Sequence, residues 1–258
     1  MNDHVYALVL GFVQGLTEFL PVSSSGHLVL LEHALPGWHP PGVLFDAVLH
    51  LGTLLSVLVF YASDIARIAV ETVRGTGSGR RFVGAVVLAS IPTAAIGLGF
   101  QDQFEAWFAR PDAVGAFLIV TAAMLFVAAR YWDRANIDRV GWLDALLIGV
   151  AQGLAITPGI SRSGSTVTVG LIRGIEPATA ARFSFLMSVP AICGAVLLKF
   201  IQAPDSLPPT SVVIVGFVAA ALSGYWAIRV FVGTLVRGRF RRFAWYCLLL
   251  GIAARCLF

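Results

Sequence analysis

Long apolar segments recur along the chain, and short polar or charged stretches separate them. A helix that spans a bilayer needs about 20 mostly apolar residues. Six segments satisfy this requirement, at 43–62, 82–100, 113–130, 183–201, 211–232 and 243–258. The pattern therefore predicts an all-α polytopic membrane protein with six transmembrane helices.

Two further apolar segments contain residues that interrupt a helix. One begins near Val5 and reaches Pro-Val-Ser-Ser-Ser-Gly-His at 21–27, and the other begins near Trp142 and reaches Pro-Gly-Ile-Ser-Arg-Ser-Gly-Ser at 158–165. These residues break the helical hydrogen-bond ladder, and irregular backbone at membrane depth occurs only where it is buried in protein or lines a wet cavity. Each segment therefore predicts a re-entrant helical hairpin, with two short interfacial pieces as the alternative.

The two interrupted segments also match each other. When the chain is shifted by 138 residues, segment 7–27 agrees with segment 145–165 at nine of 21 positions without a gap. The identities include the polar pairs Gln-Gly and Ser-x-Ser-Gly, which composition alone does not readily produce. The same shift superposes the span that begins at Phe45 on the span that begins at Phe183. We interpret the chain as a tandem duplication.

The duplication places two repeats, 1–130 and 142–258, in a single transmembrane domain over 1–258, with a linker at 131–141. Fourteen of the 18 Lys and Arg residues lie in this linker or in loops on the same side, and the positive-inside rule makes that side cytoplasmic. One hairpin and three spans give each repeat an odd number of crossings. The repeats therefore have inverted topology, as in many secondary transporters, and both termini lie outside.

Composition supports this class and excludes others. The chain is 58% hydrophobic and only 12% charged, with a formal net charge of +4. These values exclude a disordered chain and a nucleic-acid-binding domain, and they argue against a soluble enzyme. The three cysteines have no metal-ligand spacing and cannot all pair, so the sequence indicates neither a cysteine metal site nor a disulfide framework.

Polar residues concentrate at the two hairpin tips, where ionisable groups are costly and are therefore functional candidates. The first tip has Gln14, Glu18, Ser23, Ser24, Ser25 and His27, and the second has Ser161, Arg162, Ser163, Ser165 and Thr166. If the repeats bring the tips together, a carboxylate, an imidazole, a guanidinium and several hydroxyls converge.

These residue types suit the chemistry of a phosphate group. Arg162 has a planar, permanently charged fork for phosphate oxygens, and the helix that restarts beside it presents free amides to an anion. A serine hydroxyl is a nucleophile when a base is near. His27 can be that base, or the acid for a leaving group. Glu18 can hold a divalent cation or act as the base itself.

The same groups also have structural interpretations, which the sequence leaves open. Glu18 and Arg162 could form a buried ion pair that holds the hairpins together. Ser23 and Ser25 could cap the helix at the break.

A second polar pair lies on the next span. Asp46 and His50 are four residues apart near its outer end, which places them on one helix face. They either support the site from behind or form an ordinary interfacial pair.

The tip motifs resemble those of a known family. Gln14-x-x-x-Glu18-Phe-Leu-Pro-Val-Ser-Ser-Ser-Gly-His27 and Pro158-Gly-Ile-Ser-Arg162-Ser-Gly-Ser-Thr166 look like the two signature motifs of the bacterial undecaprenyl pyrophosphate phosphatase family, of the bacitracin-resistance type. The resemblance covers essentially the whole chain. It implies hydrolysis of undecaprenyl pyrophosphate to undecaprenyl phosphate and inorganic phosphate, which recycles the lipid carrier for cell-wall synthesis and confers bacitracin resistance.

The resemblance also implies a site and a cofactor. By position it carries the site to Gln14, Glu18, Ser24, His27 and Arg162, and we add Ser23, Ser25, Ser161, Ser163 and Thr166 as candidates for substrate binding. A divalent cation, Mg²⁺ or Ca²⁺, is expected near Glu18 and Gln14. Many relatives have Glu at the position of Gln14. An amide cannot act as a base and is a weaker cation ligand. Cation binding and general-base catalysis are therefore expected to fall mainly to Glu18. The attacking group is either Ser24 or a water molecule.

The resemblance further implies a bacterial cytoplasmic (inner) membrane protein whose active site faces outside. The expected partners are the prenyl pyrophosphate lipid and membrane lipids, with no nucleic acid; a homodimer is left open. The rival function is a transporter or flippase of the carrier lipid, since inverted repeats are the usual basis of alternating access. The repeats are chemically unequal, because Glu18 matches Ile156 and His27 matches Ser165, and this inequality favours the enzyme.

Overall fold

The computed structural model describes residues 3–34, 43–202 and 209–258, and within these ranges the regular structure is helical. The α-helices are α1 (Asp3–Phe19), α2 (Ser24–Ala34), α3 (Val43–Phe60), α4 (Ala62–Val73), α5 (Gly77–Gly99), α6 (Gln101–Phe108), α7 (Pro111–Tyr131), α8 (Trp142–Leu154), α9 (Arg162–Ile172), α10 (Pro177–Gln202), α11 (Thr210–Val236) and α12 (Arg241–Leu257). The predicted all-α class is confirmed.

Long apolar helices make this a multi-pass membrane protein. In the part of the chain that the structure describes, α5, α7, α10 and α11 are long and apolar enough to cross a bilayer, and α3 with α4 adds a fifth span if the bent pair counts as one. The predicted spans at 82–100, 113–130, 183–201 and 211–232 fall on the four long helices.

The first predicted span ends in a sharp bend. Helix α3 stops at Phe60, and α4 continues after Tyr61 at an angle of 71°. The segment 63–81, which lies between the first two predicted spans, is therefore largely helical. Helix α4 is amphipathic: Ile65 and Ile68 pack against the hydrophobic core, whereas Ser63 and Arg67 are exposed.

Other segments also differ from the simple six-span prediction. The sixth predicted span, 243–258, lies on α12, which has 17 residues and is shorter than the four long helices. The connection before α7 contains the short helix α6. The linker at 131–141 begins with a 3₁₀ turn, and its Ile137 forms an isolated bridge with Ile175.

Small residues allow the two hairpin helices to approach the long helices closely. A Cβ added to Gly11 on α1 would lie 2.3 Å from the carbonyl oxygen of Gly216 on α11, and one added to Gly149 on α8 would lie 2.1 Å from the carbonyl oxygen of Ala89 on α5. Interfaces of this kind are typical of membrane helices, which gain stability by close backbone packing. Helix α1 is thus held against α11, and α8 against α5.

We expect Gly149→Val to destabilise the fold, because the new side chain must push two backbones apart. Overpacking of this kind costs about 1–3 kcal/mol. The measurement is the thermal unfolding midpoint of the detergent-solubilised protein. Gly233→Val is the matched control, since a Cβ at Gly233 meets no atom within 4 Å. Equal midpoints for the two variants would contradict the close contact.

Candidate active site

Each interrupted segment consists of two helices whose second member begins with a serine cap. The side-chain oxygen of Ser23 accepts a hydrogen bond from the backbone N–H of Gly26 at 3.3 Å, and that of Ser161 accepts one from Gly164 at 3.1 Å. These bonds satisfy N–H groups that the first helical turn leaves free. The capping interpretation is confirmed for Ser23. Ser25 is not a cap of this kind, and its hydroxyl lies 3.3 Å from the Ser23 hydroxyl.

The two tips contact each other directly. The backbone N–H of Gly159 donates to the Ser23 hydroxyl at 3.1 Å, and the Ser163 hydroxyl donates to the carbonyl of Leu20 at 3.2 Å. Gly26 allows this approach, because a Cβ there would lie 3.0 Å from the Cα of Gly159. The predicted convergence of the tips is therefore present, and two of the serines that we expected to bind substrate hold the tips together.

A buried carboxylate lies at the centre of the junction. The Arg162 guanidinium forms an ion pair with one oxygen of Glu18. The other oxygen accepts a hydrogen bond from the Ser24 hydroxyl at 2.6 Å and one from the Gln14 side-chain amide at 3.1 Å. Only 7% of the Glu18 side chain and 14% of the Arg162 side chain are exposed. Because both side chains are mostly buried, water solvates neither charge well, and each charge is stabilised by the opposite one.

The ion pair does not use all the donors and acceptors that surround it. Among the described buried side-chain atoms, Nη1 of Arg162 and Oε1 of Gln14 have no hydrogen-bond partner. Leaving such an atom unpaired costs about 1–3 kcal/mol, and more when the group is charged. An anion bound beside Arg162 would give Nη1 the acceptor that it lacks.

A cavity of about 640 Å³ opens at this junction. Its polar lining includes Glu18, Ser23, Ser24, Ser25, Ser161 and Arg162. The charged pair and four tip hydroxyls therefore face one space that is large enough for a small phosphorylated group.

Asp46 and His50 of α3 line the same cavity. They do not form the side-chain pair that their spacing suggested: the described contact runs from Nδ1–H of His50 to the backbone carbonyl of Asp46 at 2.7 Å. A carbonyl oxygen only accepts, so Nδ1 holds the proton and Nε2 is the basic nitrogen of the neutral ring.

His27 has a different environment from the one we expected. Its Nδ1–H donates to the carbonyl of Ser23 at 2.7 Å, and its Nε2 lies 2.7 Å from the hydroxyl of Tyr246, against which the imidazole ring stacks. Both nitrogens are occupied, and among the described contacts no hydrogen bond joins His27 to Ser24 or Glu18. Its role as a base or acid stays a prediction. Tyr246 had no sequence signal, because it lies in an apolar helix 219 residues away.

Thr166 stabilises the backbone behind the site. Its hydroxyl donates to the carbonyl of Arg162 at 2.8 Å and lies 2.5 Å from the Ser184 hydroxyl. Thr166, like Ser163 and Gln14, is outside the cavity lining. The geometry therefore supports Thr166 as a residue that positions Arg162 on α9.

A scan against protein-family models agrees with the tip motifs. The model described as "Bacitracin resistance protein BacA" matches residues 7–253. The chain belongs to this family.

Among curated proteins, the chain is 45% identical over 254 residues to an undecaprenyl-diphosphatase of Syntrophotalea carbinolica, covering 96% of each chain. It is 44% identical over 252 residues to an undecaprenyl-diphosphatase of Carboxydothermus hydrogenoformans, covering 95% of this chain and 94% of the relative. A third undecaprenyl-diphosphatase, of Methanosphaera stadtmanae, is 36% identical and is matched over 97% of its length.

This BacA-family chain offers a divalent cation few protein ligands. The described residues contain no group of three or more His, Cys, Asp or Glu side chains arranged around a common point. Glu18 supplies a carboxylate, and Gln14 supplies a buried amide oxygen without a partner. Mg²⁺ is commonly bound by one or two carboxylates together with substrate phosphates. The donor set fits a cation that the substrate helps to hold, and it does not fit an all-protein cage.

Ser23 allows a test of the tip geometry, because its φ of 69° is strained for a residue with a side chain. We expect Ser23→Ala to lower stability by about 1–2 kcal/mol, since it removes the cap and the link to Gly159 and keeps the strain. Ser23→Gly should cost less, because glycine accepts a positive φ. Thermal unfolding in detergent gives both values, with Ser25→Ala as control. If Ser23→Gly were the less stable of the two Ser23 variants, this account of the tip would be wrong.

Proposed function

We propose that this chain hydrolyses undecaprenyl pyrophosphate to undecaprenyl phosphate and inorganic phosphate, and so recycles the lipid carrier of cell-wall synthesis and confers bacitracin resistance. One observation carries the proposal: a buried arginine with a spare N–H faces the same cavity as a serine hydroxyl that is hydrogen-bonded to a carboxylate. The relatives named undecaprenyl-diphosphatase support the choice of substrate.

Arg162 is the proposed pyrophosphate ligand. It is the first residue of α9, so its guanidinium lies beside the positive end of the helix dipole. Anions bind well at such ends, where backbone N–H groups are free. With Nη2 on Glu18, Nη1 remains available for a phosphate oxygen. Ser25 and Ser161 line the same space and offer further hydroxyl donors.

Ser24 is the proposed nucleophile, and Glu18 its base. The Ser24 hydroxyl already donates to Oε2 of Glu18 at 2.6 Å, which is the geometry that general-base catalysis requires. In this step the serine oxygen bonds to the terminal phosphorus, its proton passes to Glu18, and the bond from that phosphorus to the bridging oxygen breaks. Undecaprenyl phosphate leaves and receives the proton, and water then hydrolyses the phosphoserine. In the alternative, a water molecule attacks directly.

A divalent cation, Mg²⁺ or Ca²⁺, is proposed at Glu18 and Gln14, where it would neutralise phosphate charge when bound. Of these two residues only Glu18 lines the cavity, and Gln14 turns its amide NH2 toward the Glu18 carboxylate, so Glu18 is the main ligand in this proposal. The residues around the cation would hold its ligands in place. Thr166 donates to the backbone carbonyl of Arg162 and contacts Ser184. Arg162 and Ser24 hold the Glu18 carboxylate.

Inverted repeats with re-entrant hairpins are the architecture that we propose. Contacts at the tips support it, because they come in pairs related by the shift of 138 residues. A Cβ on Gly26 would lie 3.0 Å from Gly159, and a Cβ on Gly164 would lie 3.4 Å from Pro21. Helix α2 at Ser24–Ala34 likewise corresponds to α9 at Arg162–Ile172. With the arginine-rich loops inside, the cavity faces the outer side of the cytoplasmic (inner) membrane.

The second candidate is a flippase of the carrier lipid, which the paired tip contacts favour because alternating access uses such symmetry. Purified protein in proteoliposomes separates the two functions. We expect phosphate release from undecaprenyl pyrophosphate, and a loss of at least about a hundredfold in Glu18→Gln, which keeps the shape and removes the base. Transbilayer lipid movement without any phosphate release would contradict the phosphatase.

A double variant separates catalysis from structure in the same assay. Arg162→Met alone should destabilise the protein by about 3–5 kcal/mol, since it leaves the Glu18 charge buried and unpaired. Adding Glu18→Gln should recover most of this stability without recovering phosphate release. Recovery of both quantities would mean that the pair is only structural.

Ser24→Ala decides between serine and water as the attacking group. We expect near-complete loss of phosphate release, because the variant keeps the cavity and removes only the hydroxyl. Rapid acid quenching of the wild type with labelled terminal phosphate should trap labelled protein that Ser24→Ala does not form. Ser25→Ala is the neighbouring control, and it should still form the labelled protein. Substantial activity in Ser24→Ala would transfer the attack to water.

A further inference from the structure

Hydrolysis of the proposed phosphoserine needs a base for the attacking water. In phosphoryl transfer the attacking and leaving oxygens lie roughly in line on opposite sides of the phosphorus. Glu18 serves the Ser24 oxygen, because its Oε2 accepts the hydrogen bond from that hydroxyl at 2.6 Å, and its Oε1 is paired with Arg162. The water approaches from the other side, so its base belongs on a different wall of the cavity.

Among the described residues, one histidine lines that cavity. It is His50 of α3, which is half-buried. His27, for which the sequence suggested the role of base, is outside the lining, and both its ring nitrogens have partners. Apart from Glu18 and Arg162, the other ionisable groups of the lining are Glu32, Asp46, Glu105 and Lys199. An imidazole takes up a proton near neutral pH, which suits a general base, so His50 is the first candidate.

The tautomer of His50 is the one that a base requires. Its Nδ1–H donates to the backbone carbonyl of Asp46 at 2.7 Å, so the lone pair of the neutral ring is on Nε2. Among the described contacts, no hydrogen bond reaches Nε2. His50 therefore brings a proton acceptor without a protein partner to the wall of the cavity.

The helical turn that carries His50 is held firmly. The Thr53 hydroxyl donates to the carbonyl of His50 at 2.8 Å, and Thr53 is fully buried. A Cβ added to Gly52 would lie 2.5 Å from the carbonyl oxygen of Phe217 on α11, so the backbones of the two helices are in close contact there. Both the backbone and Nδ1 of His50 are thus fixed, as precise placement of a base requires.

His50 also belongs to the charge cluster at the tips. When it is protonated, its charge acts on the Glu18 carboxylate together with that of Arg162. These three side chains come from α3, α1 and α9 and line one cavity. An imidazolium that forms during the reaction is therefore stabilised by a nearby carboxylate.

We propose that His50 is the base that activates water for hydrolysis of the phosphoserine at Ser24. The proposal rests on the proposed function and on its serine route. The water oxygen bonds to phosphorus, a water proton passes to Nε2 of His50, and the bond between phosphorus and the Ser24 oxygen breaks. The Ser24 oxygen then receives that proton, so inorganic phosphate leaves and both side chains return to their starting forms.

The test separates the two half-reactions by rapid acid quenching, with undecaprenyl pyrophosphate labelled in its terminal phosphate. We expect His50→Gln to form labelled protein as fast as the wild type and to lose the label about a hundredfold more slowly, because only the second step loses its base. Steady-state phosphate release should fall by the same factor. A merely structural role would not give this result, since a damaged site would also form the phosphoserine slowly.

His33→Gln is the matched control. The Nδ1 of His33 lies 2.8 Å from the carbonyl of Val29, four residues earlier, as in His50, but His33 is exposed and does not line the cavity. We expect this variant to form and lose the label at wild-type rates.

The remaining outcomes are distinct. Loss of the label from His50→Gln at the wild-type rate, or no labelling of this variant at all, would overturn the proposal. Accumulation of label in His27→Gln or Glu32→Gln, and not in His50→Gln, would assign the base to that residue instead. A wild type that releases phosphate without any labelled protein would end the proposal and leave the phosphatase standing. A wild type that releases no phosphate would end the proposed function itself.

His50→Ala covers the case in which His50→Gln does not fold. The smaller side chain leaves room for free imidazole, which should speed the loss of label from His50→Ala and leave the wild type unchanged. Loss of label from His50→Ala that is fast without imidazole would contradict the role of His50 as the base.

Discussion

The ion pair between Glu18 and Arg162 is the interaction on which the rest of the structure depends. Each charge alone would be costly in an apolar protein, by about 2.5–3.5 kcal/mol on insertion scales. Together they neutralise each other at the point where two hairpin tips meet. The pair therefore favours a fold in which α1 and α9 approach, and it leaves Nη1 of Arg162 buried without a partner beside a cavity that Arg162 lines. Stability and the proposed anion binding thus use the same two side chains.

Backbone geometry at the tips makes that pairing possible. A continuous helix through residue 20 could not bring Ser24 back to the Glu18 carboxylate, whereas the break at Ser23 does so. The link from Gly159 to Ser23 then sets the distance between the tips. Positions near the junction are restricted to residues without bulk, because the Cα of Gly159 lies only 3.0 Å from the place of a Cβ on Gly26. The strained φ of Ser23 is tolerated because its hydroxyl accepts two hydrogen bonds there.

The sequence predicted the parts of this arrangement that depend on local chemistry. The proline, glycine and serine residues predicted the position of both helix breaks. The polar residues at the tips predicted that Glu18, Ser24 and Arg162 would lie close together. Long-range packing was beyond such reasoning. Tyr246 reaches His27 from a helix at the far end of the chain, and no local pattern marks that contact. The bend between α3 and α4 was not predicted for a similar reason. It depends on the packing of Ile65 and Ile68 against the hydrophobic core, which involves distant parts of the chain.

The two interrupted segments, which we interpret as copies, share their structural contacts and differ in the side chains at their tips. Ser23 and Ser161 both cap a helix, and Gln14 has a counterpart in Gln152, whose amide donates to Thr93 at 3.3 Å and whose oxygen is likewise buried without a partner. Four residues further along, the two segments diverge, because the carboxylate of Glu18 is matched by the hydrocarbon of Ile156. Here one tip carries the carboxylate and the hydroxyl, the other carries the guanidinium, and a single site results only when both are present. The shared caps and glutamines therefore give the two segments a common framework, and the different residues at three matched pairs, Glu18/Ile156, Ser24/Arg162 and His27/Ser165, distinguish the two tips.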